Sequence, residues 1–290
     1  MPTIEAAVFQ GLSWNPAEDL RELFEFQFMI NALAAGTIVA VMAGVTGWFV
    51  VLRRQTFAGH TLSVIAFPGA AAASLLGLPV ALGYFGFCGI GALAIAAFAG
   101  SQRDRGSESA AIGAIQALAL AVGFLCVSLY HGLLTGLNSL LFGTFLGITH
   151  QQVVVLLVVA VAAVMLVGMA ARPLLFASID ADAADARGIP VRVLGIAFLV
   201  VLGLSVAETS QITGALLVFS LLVTPAATAQ RLTLRPGLGV ALSVAIALGV
   251  TWLGLALAYF SNYPVGFYVT TLAFAAYLTV RLRDRRRRSD

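Results

Sequence analysis

The sequence predicts an all-α integral membrane protein: a polytopic bundle of about nine transmembrane helices, with eight as the competing count. Three observations lead there. The 290 residues are 60% hydrophobic and only 10% charged, with mean hydropathy +1.00, whereas a soluble domain is about a quarter charged. Apolar runs of roughly 20 residues, the length that crosses a bilayer, recur along the chain. Basic residues gather after alternate runs, the pattern left by the positive-inside rule.

The spans are placed near 28–52, 57–77, 79–99, 109–133, 152–171, 193–208, 211–229, 237–260 and 264–282. The sixth and seventh are short, so 193–229 reads either as two spans or as one long bent element. The polar stretch Glu208-Thr209-Ser210-Gln211, with Gly214 and Pro225, favours a break. The arginines agree. All 16 basic residues are arginine, and 15 of them follow odd-numbered spans: Arg53 and Arg54, Arg103 and Arg105, Arg172, Arg187 and Arg192, Arg231 and Arg235, then Arg281, Arg283 and Arg285 to Arg288. Nine spans with the N-terminus outside and the C-terminus inside put all 15 in the cytoplasm. A single span at 193–229 would put Arg231 and Arg235 outside.

Residues 1–27 form an acidic extracytoplasmic leader holding Glu5, Glu18, Asp19, Glu22 and Glu25. No cleaved signal peptide is expected. The stretch after Asn15-Pro16 reads either as an interfacial helix or as a plain polar leader. Residues 28–282 are the transmembrane domain, and 283–290 a basic cytoplasmic tail. Segment 130–150 lies on the outer side, and within it Ser139 to Gly147 is apolar but too short to cross, with Gly143 and Gly147 interrupting it. It reads as a re-entrant or interfacial piece, flanked by His131 and His150, which serve either as outer metal contacts or as polar helix ends. The longest polar stretch between spans is the loop 172–192. Asp180, Asp182 and Asp185 stand there on an alanine-rich background, closed by Gly188 and Pro190. It predicts a short exposed helix over 178–188, with Ile179, Ala183 and Ala186 on its apolar side.

The stretch 52–77 carries the most specific pattern. Arg53 and Arg54 close the first span. Three residues on, a second run contains His60, Ser63 and Phe67, which share one helix face at i, i+3, i+7. A histidine within an apolar run is costly unless it faces protein or a water-filled path. Gly69 to Ser74 are small enough for another helix to approach closely.

Leu52, Arg53, Arg54, Gly59, Leu62, Ser63, Pro68, Gly69, Leu75, Leu76 and Gly77 together resemble the permease subunits of bacterial ATP-binding-cassette importers for zinc and manganese. The seventh span resembles them as well, through Gly214, Leu216, Leu217, Leu221, Leu222, Pro225, Ala226, Ala227 and Ala229. Weaker agreement lies at 138–149 and 177–190, and the likeness runs from about 28 to 280. The chain departs where that family usually has an aspartate, here His60, and a histidine, here Val64.

The resemblance implies an importer-type permease in a bacterial cytoplasmic membrane. It implies a homodimer around a central path, cytoplasmic ATPase subunits that bind the ATP, and an extracytoplasmic metal-binding protein. The loop 172–192 then holds the family's coupling helix, with Asp180, Ala184 and Gly188 engaging the ATPase. The implied cargo is a divalent transition metal. His60 tilts the expectation to zinc, because imidazole suits Zn²⁺ while oxygen ligands suit Mn²⁺. The candidate path residues are His60, Ser63 and Glu208. His60 reads either as the principal metal contact or as a histidine satisfied by a backbone carbonyl or a hydroxyl such as Ser63. Glu208 reads either as a gate or structural carboxylate or as an interfacial charge. Val64 leaves one ligand per subunit from this motif, which keeps a permease for a metal chelate, of siderophore or cobalamin type, as the rival reading.

No enzyme is expected. A P-loop needs a lysine and the chain has none. No cofactor of its own is expected. Cys88 and Cys126 lack a CxxC partner, so neither a disulfide framework nor a thiolate site is anticipated. An ion-coupled secondary transporter would usually carry several membrane carboxylates, and Glu208 alone fits that description.

Overall fold

The computed structural model describes residues 24–98, 105–130, 147–214, 217–261 and 263–289. Residues 1–23 of the expected leader, most of the expected re-entrant piece and His131 lie outside these. Ten helices are described: α1 (Gln27–Leu52), α2 (Thr56–Leu75), α3 (Val80–Phe98), α4 (Arg105–Leu129), α5 (His150–Ile179), α6 (Ala181–Ala186), α7 (Val191–Thr213), α8 (Val218–Leu232), α9 (Pro236–Tyr259) and α10 (Val265–Ser289). Eight of them are long and apolar enough to cross a membrane. The exceptions are α6 and the 15-residue α8, whose roughly 22 Å of length at 1.5 Å per residue falls short of the bilayer core.

Contacts at the helix ends fix the up-and-down order. Arg53, just past α1, reaches Ser178 near the end of α5, and a Cβ added to Gly195, early in α7, would stand 3.5 Å from the Arg53 guanidinium. Gln230 at the end of α8 donates to the Trp48 carbonyl of α1 at 2.8 Å. Arg231 donates to the Tyr277 hydroxyl of α10 at 3.1 Å. These ends therefore share one face of the bundle. At the other face, Asn31 near the start of α1 donates to the Ile148 carbonyl just before α5, at 3.0 Å. A chain of odd and even passes produces this alternation, α8 counting as one of them.

Packing follows the small residues. The α2–α3 crossing is closest at Gly69 and Gly83: a Cβ on either would run into the other's carbonyl, and the Gly83 Cβ would also meet Ala73. The run of small residues from Gly69 is thus used as expected. Gly47 of α1 approaches the Leu222 carbonyl of α8 equally closely, and Gly123 of α4 approaches Pro68. Polar side chains tie neighbours together. Ser243 of α9 donates to the Gly44 carbonyl at 2.8 Å, Trp252 to Thr37 at 2.9 Å, and Thr61 of α2 to Gln116 of α4 at 3.0 Å. Bonds of this kind contribute about 0.6 kcal/mol each on average within membranes, so close packing carries most of the stability. α2 lies at the centre, with 72% of its membrane-length window buried, and α4 at the rim with 11%.

Three expected boundaries are corrected. The break between the sixth and seventh spans falls at Gly214, not at Glu208–Gln211. The polar stretch stays helical because Thr209, Ser210 and Thr213 donate to carbonyls four residues back, at 2.7, 2.7 and 2.9 Å. Gly214, with φ +74°, ends the helix. The loop expected at 172–192 shrinks to 180–190. α5 runs on through Pro173 to Ile179, held by burial of Leu174 and Ala177, so Ile179 ends that span rather than opening the exposed helix. α10 runs on to Ser289, so the boundary expected at 282/283 falls inside a helix and the basic tail continues from it.

Candidate functional site

α2 positions His60 one turn from the end of the bundle that bears Arg53. The imidazole is half-buried and stands edge-on to Phe219 of α8, with centroids 5.1 Å apart at 72°. Its Nδ1 is buried and has no hydrogen-bond partner. Ser63 does not satisfy that nitrogen. It is 1% exposed and donates instead to the backbone carbonyl of His60 at 2.7 Å. One turn above, Val64 supplies no ligand side chain. Pro68, however, has no N–H, so the Val64 carbonyl loses its helical partner. An unbonded imidazole nitrogen and a freed carbonyl thus stand one turn apart on α2.

Glu208 is wholly buried on α7, and neither carboxyl oxygen has a hydrogen-bond partner. Ser205 Oγ and Gln211 Nε2 are buried without partners as well. Residues 205, 208 and 211 fall on one side of the helix, forming a stripe of unsatisfied polar groups. Each such group costs about 1–3 kcal/mol when left unpaired. The sequence reading had only Glu208 from this stripe, although a polar residue at every third position was the available signal.

Within one chain His60 and Glu208 are not brought together. Cys88 of α3 donates to the Leu62 carbonyl at 3.6 Å, and the Cys88 carbonyl is the atom nearest a Cβ on Gly203 of α7. Leu62 and Gly203 are therefore level, on helices that run the same way. His60 lies two residues toward the arginine face and Glu208 five residues away from it. The axial gap is about 10 Å at 1.5 Å per residue, too far for one ion at ligand distances near 2 Å. Among the described residues no group of three or more His, Cys, Asp or Glu can hold a metal ion. His150 is exposed as the first residue of α5, on the opposite face from Arg53, beside the Thr149–Gln152 capping box.

On the arginine face α6 forms as the Asp/Ala pattern requires. The Asp180 carboxylate caps it, accepting from the Ala183 N–H at 2.9 Å. At its far end the Gly188 N–H reaches the Asp185 carbonyl at 2.9 Å, and the Ile189 N–H reaches Ala184 at 3.1 Å. With Gly188 at φ +79° this is a Schellman closure. Ala184 is fully buried, while Ile179 and Val193 flank the turn at 77% and 63% exposure.

Comparison with known proteins agrees with this architecture. The chain is 32% identical over 229 residues to the manganese transport system membrane protein MntC of Halalkalibacterium halodurans, covering 79% of this chain and 77% of that one. It is 30% identical over 261 residues to the chelated iron transport system membrane protein YfeC of Yersinia pestis, covering 90% and 88%. Among solved structures, PsaBC from Streptococcus pneumoniae in complex with Fab superposes with TM-score 0.81 at 28% identity, over 91% of this chain and 94% of that one. An inward-facing ABC transporter at 15% identity and TM-score 0.71 shares the fold. These relatives are membrane transport subunits, not enzymes. The model of the ABC 3 transport family matches residues 25–283, and this multi-pass membrane protein belongs to that family.

Proposed function

We infer that the chain is the permease subunit of an ATP-driven importer that passes a divalent transition metal through the bilayer. The observation that carries this reading is the His60 imidazole, held in a membrane helix with its Nδ1 buried and free of any hydrogen bond. A neutral imidazole in that state is a ligand without a partner. One such group per chain makes a site when two copies face each other across a dimer axis. The unpartnered oxygens of Ser205 and Glu208 supply further ligands along the path. ATPase subunits dock on α6 and the exposed Ile179 and Val193. Their closure pulls on Asp180–Gly188 and tilts α5 and α7, so that the path opens alternately to each side. A metal-binding protein delivers the ion outside. The arginine face is cytoplasmic, because the positive-inside rule places 15 of the 16 arginines there. A cysteine replacing Asp182 is therefore protected from an impermeant thiol reagent in intact cells, and one replacing Tyr263 is labelled.

His60 also decides the ion. Imidazole favours zinc, and oxygen ligands favour manganese, the ion named for MntC. Uptake of both metals in cells lacking their own permease tests this. His60→Ala abolishes zinc uptake. His60→Asp retains part of it and shifts preference toward manganese. Wild-type rates in His60→Ala remove His60 from the path. They would favour the second reading, a permease for a metal chelate, supported by the apolar Val64 beside His60 and by the chelated-iron relative.

A further inference from the structure

A groove of about 540 Å³ runs between α5 and α7 on the outside of the bundle. Every residue lining it is apolar, including Leu166, Met169, Leu174, Leu194, Phe198 and Leu204. It is open at the surface of the single chain, with Leu166 and Met169 48% and 77% exposed. From Leu194 to Leu204 it extends about 15 Å along α7, half the roughly 30 Å hydrocarbon core and so the depth of one leaflet.

Arg53 stands at the end of this groove. Its guanidinium lies 5.3 Å from the ring centroid of Phe198, which lines the groove. It also reaches Ser178, one turn beyond the lining residue Leu174. The remaining polar contact is Gln55, which accepts from Nε at 3.2 Å. All these partners are neutral, and among the described residues no carboxylate pairs with Arg53. Burial lowers its pKa from the usual arginine value, yet an arginine remains charged in a protein. A half-buried cation without a counter-ion, at the cytoplasmic end of an apolar groove one leaflet deep, matches an anionic phospholipid in both charge and shape. We propose that one anionic phospholipid binds each chain here, its phosphate on Arg53 and one acyl chain between α5 and α7.

Native mass spectrometry of the purified full-length permease with added phosphatidylglycerol or phosphatidylcholine tests the assignment. The wild type retains one phosphatidylglycerol per chain, with about tenfold preference over phosphatidylcholine, whose choline cation offsets the charge of its own phosphate. Arg53→Gln reduces the preference to near one, and Arg53→Lys keeps most of it. Ala197→Trp fills the groove from an exposed wall position and lowers retention of both lipids, which serves as the test if Arg53→Gln does not accumulate. Unchanged preference in Arg53→Gln, or unchanged retention in Ala197→Trp, overturns the proposal. So does loss of dimer in Ala197→Trp with lipid retention intact, which would give the groove to a second copy, or loss of ATPase association in Arg53→Gln with lipid retention intact, which would give the cation to the partner.

Discussion

α7 begins after one left-handed glycine and ends at another. Gly188 and Gly214 share a positive φ, +79° and +74°, but have opposite surroundings. Gly188 is exposed and closes α6 with two cap hydrogen bonds into an aqueous loop. Gly214 is buried, and its N–H continues the α7 ladder to the Ser210 carbonyl at 3.0 Å before the chain turns. The first stop was visible in sequence and the second was misplaced by several residues. In water, polar residues mark a turn because they bond to solvent and to local backbone. Inside a membrane bundle they bond back to their own helix, so Thr209 and Ser210 extend α7 where composition suggested a break.

The largest effect is expected where left-handed backbone and burial coincide. Gly214→Val combines a conformational cost of about 1–3 kcal/mol, for a backbone at φ +74° and ψ 156° that is essentially open to glycine alone, with overpacking of about 1–3 kcal/mol at a buried site. The variant should lose most of its folded, monodisperse protein, read by gel filtration and by thermal unfolding in detergent. If Gly214→Val is no less stable than Gly188→Val, burial is not what separates the two turns.

Gly188→Val bears the conformational cost without the packing one. Nothing lies within 4 Å of an added Cβ there. The protein should stay in the membrane at close to wild-type level while ATP hydrolysis becomes uncoupled from uptake, because the strained turn displaces α6. Normal uptake would count against α6 as the docking element. Gly188→Asn is the sharper control. Asparagine visits the left-handed region with little penalty, so this variant should keep most of its uptake.

The same contrast between local and distant partners explains what was legible. The Asp180–Gly188 turn depends on residues within nine positions of each other, and its cap and stop were readable. The small residues from Gly69 to Ala73 announced a close helix contact, and Gly83 is its partner. By contrast, the environment of His60 comes from Phe219, 159 residues away in α8, which no local pattern specifies. The fifth span was expected to end at 171, yet α5 continues through Pro173 to Ile179. One lost ladder bond, to the Met169 carbonyl, is offset by burial of Leu174 and Ala177 against other helices. Glu208 was seen as the odd carboxylate, but whether it lay at an interface or in the interior depended on how the other helices close around α7.

The smallest expected effect isolates the exposed turn itself. α6 has six residues, too few to be stable as an isolated helix, so its caps and the burial of Ala184 hold it. Asp180→Ala removes the acceptor for the Ala183 N–H and should cost about 1 kcal/mol locally. That corresponds to roughly fivefold faster amide exchange over 183–186, since local opening follows local free energy, with no change in global unfolding. Asp182→Ala removes the same charge from the first turn of the same helix without removing a cap bond. It should move exchange by a smaller factor, because helix-end charge interactions at exposed positions contribute about 0.3–1 kcal/mol. Equal acceleration in the two variants would mean that α6 is held by the charge near its N-terminus. A larger effect of Asp180→Ala means that the hydrogen bond holds it, and that α6 depends on one side chain four residues before the buried Ala184.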